Sequence, residues 1–283
     1  MTFSVHPFQE VDVDAVSAVV MAAYNLPDGR KDTLYRYLAL QPDGAFVVKD
    51  NASIVGFGAA LDYGLFAYIG LMSVHPSAQK RGVGRLLMDT LLFWLERRGC
   101  QTVLLDASQA GAPLYLHYGF VEDDRTVDVR QLQNIALPHG HAERVTLLHN
   151  EDFVKLVAFD AAHFGASRET LLRAFYADDP QRVFVTHDSN NELSGYLIAQ
   201  TRTIGPWVAH SPEDAEQLLR HALTLPYSAE PMVFVSAHHA DALALLARYR
   251  FTQTRSLSHM RKGTVIERHR ATTLYGQASL GFG

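Results

Sequence analysis

The hydrophobic positions in the first part of the chain change repeatedly between the two-residue period of strands and the 3.6-residue period of helices. Short apolar runs are bounded by turn residues, and longer amphipathic stretches begin at residues such as Asp12, Asp14 and Pro113. The pattern predicts strands at residues 3–5, 45–48, 54–61, 66–74 and 102–107, and helices that begin near residues 12–14, 32–33, 83 and 113. The helix from residue 83 has one continuous apolar face and ends at Gly99.

The second half of the chain repeats this order of elements. Gly56-Phe57 corresponds to Gly195-Tyr196, and Ile69-Gly70 corresponds to Ile204-Gly205. A shared order of elements favours duplication over a chance likeness. The pattern predicts strands at residues 145–147, 182–186, 193–200, 204–209 and 232–236, with helices at 152–159, 168–175, from Ser211 and at 243–249. We therefore expect two domains, residues 1–134 and 141–283, with a linker near residues 131–141 and a tail at residues 264–283.

Composition narrows the class of protein. An apolar fraction of 48% over 283 residues excludes a disordered or collagen-like chain. The net charge of −5 argues against a nucleic-acid partner bound through phosphate neutralisation. The single cysteine, Cys100, excludes an internal disulfide and a cysteine-based zinc site. No apolar run reaches about 18 residues and the N-terminus lacks a signal-peptide layout, so we expect no membrane contact and a cytoplasmic protein.

The loop between the strand ending at Val74 and the long helix has the pattern Gln-x-x-Gly-x-Gly, carried by Gln79, Gly82 and Gly84. A helix start offers unpaired backbone N–H groups and the positive end of the helix dipole, which suit a pyrophosphate. Glycines let a ligand approach the backbone, and Lys80, Arg81 and Arg85 add positive charge. The spacing differs from the ATPase phosphate loop and from the dinucleotide-binding fingerprint. The alternative is an ordinary glycine turn before a helix.

Residues 69–120 resemble the coenzyme-binding core of the GCN5-related N-acetyltransferase (GNAT) superfamily. The loop fits the family's Gln/Arg-x-x-Gly-x-Gly/Ala motif, and Leu114-Tyr115 through Gly119-Phe120 fits its Leu-Tyr-x-x-x-Gly-Phe helix end. The resemblance implies an α+β fold, with a mixed, mostly antiparallel sheet that is flanked by helices and splayed where the coenzyme inserts. It also implies acetyl-CoA as co-substrate, held at Met72, Ser73, Val74, Gln79, Lys80, Arg81, Gly82, Val83, Gly84 and Arg85.

The whole chain resembles bacterial tandem-GNAT proteins whose C-terminal copy is degenerate. In the second half the chain passes through Ser211-Pro212 straight into a helix, without a glycine pair or a basic cluster. Pro212 also removes one N–H group from that helix start. We therefore expect coenzyme A in the first copy and none in the second.

The resemblance implies that Tyr115 is the general acid that protonates the leaving thiolate, the alternative being a packing aromatic. Many relatives carry a carboxylate on the strand before the loop, and Ile69 to Met72 has none. A base would then come from elsewhere or from water, and the remaining candidates are Asp62, Tyr63, His75 and His117. The 14 histidines show no convincing metal-ligand spacing, so no metal is expected.

We expect an N-acetyltransferase that moves an acetyl group from acetyl-CoA to a primary amine of a small molecule, directly in a ternary complex. The alternatives are a protein acetyltransferase acting on lysine or N-terminal amines, and a non-catalytic regulator that binds acyl-CoA. A second copy that closes over the acceptor channel favours the small acceptor. Phe164, Arg168, Trp207 and Tyr275 are candidates to line that channel, or else pack in the core or between domains. A homodimer is left open.

Overall fold

The computed structural model describes residues 3–27, 29–132 and 144–283. The strands are β1 (Phe3–Pro7), β2 (Ala45–Asp50), β3 (Ser53–Asp62), β4 (Ala67–Val74), β5 (Thr102–Ala107), β6 (Val121–Gln131), β7 (Val145–Leu147), β8 (Val183–His187), β9 (Leu193–Ala199), β10 (Ile204–Ala209), β11 (Met232–Ser236), β12 (Phe251–Gly263) and β13 (Leu274–Gly276). The α-helices are α1 (Val13–Tyr24), α2 (Lys31–Leu40), α3 (Val83–Arg97), α4 (Ala112–His117), α5 (Phe153–Phe164), α6 (Glu169–Asp178), α7 (Pro212–Ala222) and α8 (Ala240–Arg248).

The predicted order of elements is confirmed in both halves, and four strands have the predicted bounds (β5, β7, β10 and β11). The hydrophobic pattern predicted no bounds for β6, and it did not predict the long strand β12 or the short strand β13 in the tail. No helix in the described ranges is both long and apolar enough to cross a membrane.

Two sheets form the framework, and most of their strand pairs are antiparallel. The larger sheet has eight strands in the order β1-β2-β3-β4-β5-β12-β6-β11, and the smaller has five in the order β13-β10-β9-β8-β7. Helices flank the sheets, so the fold is the mixed, mostly antiparallel α+β arrangement that the resemblance implied.

The two halves of the sequence share the larger sheet. Strand β12, from the second half, lies between β5 and β6 of the first half and pairs antiparallel with both. Strand β11, also from the second half, pairs with the other edge of β6. The predicted boundaries at residues 134 and 141 fall among residues 133–143, outside the described residues, and stay a prediction.

The larger sheet opens between β4 and β5. These strands run parallel and pair only at Ala67–Val103 and Tyr68–Leu104. Beyond Tyr68, β4 contains one extra residue relative to β3, and Leu71 takes a positive φ of 54° there. The bulge turns β4 away, which leaves a cleft between the two strands.

Helix α3 packs on one face of this sheet through Val83, Leu87, Met88, Leu91 and Leu95, the helical spacing seen in the sequence. On the other face, one apolar core joins residues of both halves. It includes Val16 and Tyr37 from α1 and α2, Leu156 and Tyr196 from the second half, and Phe282 from the tail. The second half therefore covers the face of the sheet that lies opposite α3.

Candidate functional site

The predicted coenzyme loop links β4 to α3 at the open end of the cleft. A single 3-10 turn, Pro76–Ala78, begins the loop, with the His75 Nδ1 atom accepting a hydrogen bond from the Ser77 N–H at 3.3 Å. The Gln79 side-chain amide then donates to the Val74 carbonyl at 3.1 Å. Gln79 thereby ties the loop back to the end of β4, and its role is to hold the loop's shape.

The first turn of α3 has no side-chain cap. Gly82 occupies the N-cap with φ of 90°, a conformation that disfavours other residues, and contributes no capping side chain. The N–H groups that follow it are therefore left for a ligand at the positive end of the helix dipole. A Cβ atom on Gly84 would lie 3.3 Å from the Leu114 side chain and 4.0 Å from the Val74 side chain, so only a narrow gap separates α3 from α4 and β4.

The three basic residues of the loop differ in their surroundings. Lys80 and Arg85 are exposed. The Arg81 guanidinium lies 3.2 Å from the Asp50 carboxylate and 4.9 Å from the centre of the Phe3 ring. Asp50 partly neutralises Arg81, so Lys80 and Arg85 provide most of the free positive charge at this helix start. Val83 points into the core and can contribute only its backbone.

Tyr115 lies on α4 on the α3 side of the sheet. It is buried among the residues that line the gap between α3 and β5, and its ring meets Phe120 edge-on at 5.9 Å. Burial raises the pKa of Tyr115 well above that of a free phenol, and Tyr24 adds to the shift. The hydroxyl therefore stays protonated at neutral pH.

Tyr24, at the end of α1, was missed by the sequence analysis. Its hydroxyl donates a 2.5 Å hydrogen bond to the carbonyl of Met72, just past the bulge of β4. Tyr24 also adds to the rise in the pKa of Tyr115 that burial causes, so the two phenols are close enough to interact electrostatically. Tyr24 belongs to no motif and is 48 residues from Met72, so nothing in the sequence pointed to it.

The four side chains proposed as general bases have other partners in the structure. Asp62 accepts a hydrogen bond from the Arg98 guanidinium at 2.7 Å, at the end of β3 away from the loop. The Tyr63 hydroxyl donates to the Phe282 carbonyl at 2.7 Å. His75 shapes the 3-10 turn, and His117 is exposed with its ring against Tyr118. Within the described ranges, none of these four side chains forms a hydrogen bond or a ring contact with Tyr115 or Met72.

The second half lacks the open helix start. Ser211 caps α7 with its side chain, accepting from the Asp214 N–H at 3.1 Å, and Pro212 occupies the first turn. These residues satisfy or remove the N–H groups that an anion would need. The start of α7 therefore differs from that of α3, and the absence of coenzyme from this half stays a prediction.

The four residues named as channel candidates are all buried. Trp207 and Tyr275 pack on each other in the core of the second half, with ring centres 5.1 Å apart. Phe164 packs on Phe66, and Arg168 forms a fully buried ion pair with Asp160 at 2.8 Å. Phe164 and Arg168 also line a cavity of about 10 Å³ whose lining residues all belong to the second half. Among the described residues, no group of three or more histidine, cysteine, aspartate or glutamate residues could hold a metal ion.

Two family models match the chain. Residues 14–120 match the acetyltransferase (GNAT) family, and residues 156–276 match an acetyltransferase (GNAT) domain. The uncharacterised N-acetyltransferase YitH of Bacillus subtilis is 26% identical over 163 residues, which are 56% of this chain and 56% of that protein. The chain spans about half the length of the curated relatives it matches.

Solved structures match over nearly the whole chain. A protein from Pyrococcus horikoshii, whose acetyltransferase assignment is provisional, aligns with a TM-score of 0.87 and 29% identity, covering 99% of this chain and 96% of that one. A GCN5-related N-acetyltransferase from Sphaerobacter thermophilus aligns with a TM-score of 0.71 and 17% identity, covering 96% and 98%, and supports the fold alone. The chain belongs to the GNAT family and carries two GNAT domains in tandem.

Proposed function

We propose that this protein transfers an acetyl group from acetyl-CoA to a primary amine of a small molecule, directly in a ternary complex. The observation that carries the proposal is the uncapped start of α3 at the mouth of the cleft between β4 and β5. The second half offers the contrast, since α7 has the same place in its domain and is closed by Ser211 and Pro212.

The residues at the cleft fit the coenzyme. The backbone N–H groups of Val83, Gly84 and Arg85, with the side chains of Lys80 and Arg85, would hold the pyrophosphate. The backbone of Met72, Ser73 and Val74 would hold the pantetheine arm, because β4 leaves its ladder with β5 before these residues. Acetyl-CoA supplies an activated thioester when it is bound.

Acetyl transfer requires the protein to supply a proton to the leaving group and to position the two reactants. The amine lone pair forms the new C–N bond, the C–S bond breaks, and its electron pair leaves on sulfur. Tyr115 keeps its proton at neutral pH because burial raises its pKa, so it can deliver that proton to the departing sulfur. Since the candidate bases are engaged elsewhere, we propose that the amine proton leaves to water.

The position of the tail supports a small acceptor. The Tyr37 hydroxyl donates to the Gly281 carbonyl at 3.0 Å, and a Cβ atom on Gly70 of β4 would meet the Gly281 backbone at 2.4 Å. The tail therefore lies directly against β4 on the face opposite α3. A face closed in this way favours an enclosed pocket over the open groove that a protein substrate would need.

Replacement of Tyr115 by phenylalanine tests the proposed function. We expect Tyr115→Phe to lower kcat by about 100-fold while KM for acetyl-CoA changes little, because a general acid acts in the transition state. The measurement is coenzyme A release with a library of primary amines.

Tyr118→Phe is the matched control on the same helix. Its hydroxyl donates to the Asp89 carboxylate at 2.6 Å, on the surface of α3, so its loss should cost stability and leave kcat nearly unchanged. Coenzyme binding without turnover of any amine would favour the non-catalytic regulator. Absence of coenzyme binding would refute the assignment of the loop.

A further inference from the structure

We define the acceptor mouth as the region around the Tyr24 hydroxyl and the Arg255 guanidinium of β12, which are close enough to interact electrostatically. Burial raises the pKa of the Tyr24 hydroxyl, and a hydrogen bond with Ser73 and the positive charge of Arg255 partly oppose that rise. The Tyr24 hydroxyl in turn donates a hydrogen bond to the Met72 carbonyl beside the cleft. A charged group from the second half of the chain thus acts on a phenol that is hydrogen-bonded to β4 beside the cleft.

The pairing register places Arg255 on the face opposite α3. Arg255 is opposite Asp128 in the ladder between β12 and β6, and Leu257 is opposite Thr126. Thr126 shares its face with Gln277 and Asp106, because its hydroxyl bonds to both side chains. Coenzyme pyrophosphate would bind at α3, so a ligand of Arg255 approaches from the other face of the sheet, where the acceptor would enter.

The positive charge at the acceptor mouth is incompletely neutralised. The Asp128 carboxylate is fully buried and forms ion pairs with two arginines, Arg130 and Arg255. Arg130 binds it through Nε at 3.1 Å and Nη2 at 3.0 Å, whereas Arg255 uses only its Nε at 2.9 Å. Glu230 acts on Arg130 and helps to raise the pKa of that guanidinium. Within the described part of the chain, the two Nη groups of Arg255 have no hydrogen-bond partner, and its side chain is 50% exposed.

We propose that the acceptor amine carries a carboxylate or phosphate group, and that Arg255 binds this group through its two Nη atoms. The two N–H groups on this edge of a guanidinium match the oxygen pair of a carboxylate or phosphate. Asp128 fixes the guanidinium through Nε, so this edge is held in place before the ligand arrives. The proposal rests on the proposed function, since it names the substrate class of the same site.

The test compares amines that differ only in the anionic group. Binding of glycine and glycinamide, of β-alanine and its amide, and of phosphoethanolamine and ethanolamine is measured by calorimetry on the full chain saturated with coenzyme A. In at least one pair the anionic member should bind about 10-fold more tightly, and Arg255→Gln should reduce that ratio to about one. Arg255→Lys should restore part of it, because a lysine keeps the charge and loses the paired donors.

Arg97→Gln is the matched control, because Arg97 is exposed on α3 and its guanidinium lies over the Phe93 ring, 5.9 Å from the ring centre. It should leave the ratio unchanged. Equal binding within every pair, or a ratio that survives Arg255→Gln, overturns the proposal. The proposal is also overturned if Arg255→Gln raises KM for acetyl-CoA and leaves amine binding unaffected, because Arg255 would then bind the coenzyme. If the preference holds and no amine is acetylated, the inference about the ligand stands and the proposed function fails.

Discussion

At the scale of single residues, His239 shows how burial can set a charge state. Its ring is 1% exposed and stacks on Tyr275 with ring centres 4.4 Å apart. The Nδ1 atom accepts from the Ala242 N–H at 3.3 Å and caps α8, so the proton lies on Nε2, which is buried without a partner among the described residues. Burial lowers the pKa of His239 to about 4.

This pKa predicts a loss of stability in acid. In the unfolded chain a histidine takes up a proton near pH 6.5, whereas folded His239 stays neutral until about pH 4. Protons therefore favour the unfolded state, and stability falls as the pH drops from 6.5 towards 4. Between pH 6.5 and 5 the loss of unfolding free energy from this histidine is about 1.6 kcal/mol. Urea unfolding at both pH values measures it.

His239→Asn is the variant for this measurement. Its amide oxygen can still accept from the Ala242 N–H, and the side chain does not titrate. His163, whose pKa is also lowered to about 4 by burial, is present in both proteins and cancels in the comparison. Equal losses of unfolding free energy in the two proteins would contradict the assignment to His239.

At the scale of elements, α3 and α7 show why the same position in two related domains can have different uses. Both helices follow a strand and pack on a sheet. Gly82 leaves the first N–H groups of α3 open, whereas Ser211 and Pro212 close those of α7. Two or three residues therefore decide whether a helix start can receive an anion.

The two glycines that bound α3 allow a controlled test. Gly82 and Gly99 both have a positive φ, 90° and 74°, and a Cβ atom on either would meet nothing within 4 Å. Alanine at each should cost about 1 kcal/mol of unfolding free energy through backbone strain. Gly82→Ala should also raise KM for acetyl-CoA about 10-fold, because the strain disturbs the N–H groups of the first turn. Steady-state kinetics and urea unfolding measure both effects.

Gly99→Ala is the control, since it strains the same helix at the end away from the coenzyme. Its KM for acetyl-CoA should match that of the unmodified chain. If the two variants raise KM equally, the effect comes from lost stability, and the first turn of α3 would not be the binding site.

At the scale of the whole molecule, the two halves of the chain depend on each other. Without β12, the first half would lack the strand between β5 and β6. The core around Tyr37 would lose Leu156, Tyr196 and Phe282 from the second half. Strand pairing and burial of this kind couple the halves, so we expect one cooperative unfolding transition.

The two tryptophans can test this because one lies in each half. Trp207→Phe leaves Trp94 as the reporter of the first half, and Trp94→Phe leaves Trp207 for the second. In each variant, the urea midpoint from tryptophan fluorescence should coincide with that from far-ultraviolet circular dichroism. A fluorescence transition that ends while half of the dichroism signal remains would show that the halves unfold separately.

Much of the fold and of the candidate site could be predicted from the sequence. The helices, most strands and the loop from Gln79 to Arg85 depend on residues close together in the chain, and such local patterns are readable. Tyr115 was found because it belongs to a motif. Tyr24 and Arg255 were not found, because each lies on an element far from β4 in the sequence and neither is marked by spacing or composition.

By itself, the sequence determined the order of elements, the repetition of that order and the position of the open helix start, since periodicity, capping residues and glycines act over a few residues. Only the tertiary structure decided that β12 lies between β5 and β6, that the tail packs against Gly70, and that the charge of Arg255 acts on Tyr24. The physical reason is that strand partners and buried contacts are chosen among segments far apart in the chain, by pairing and packing that no local pattern records.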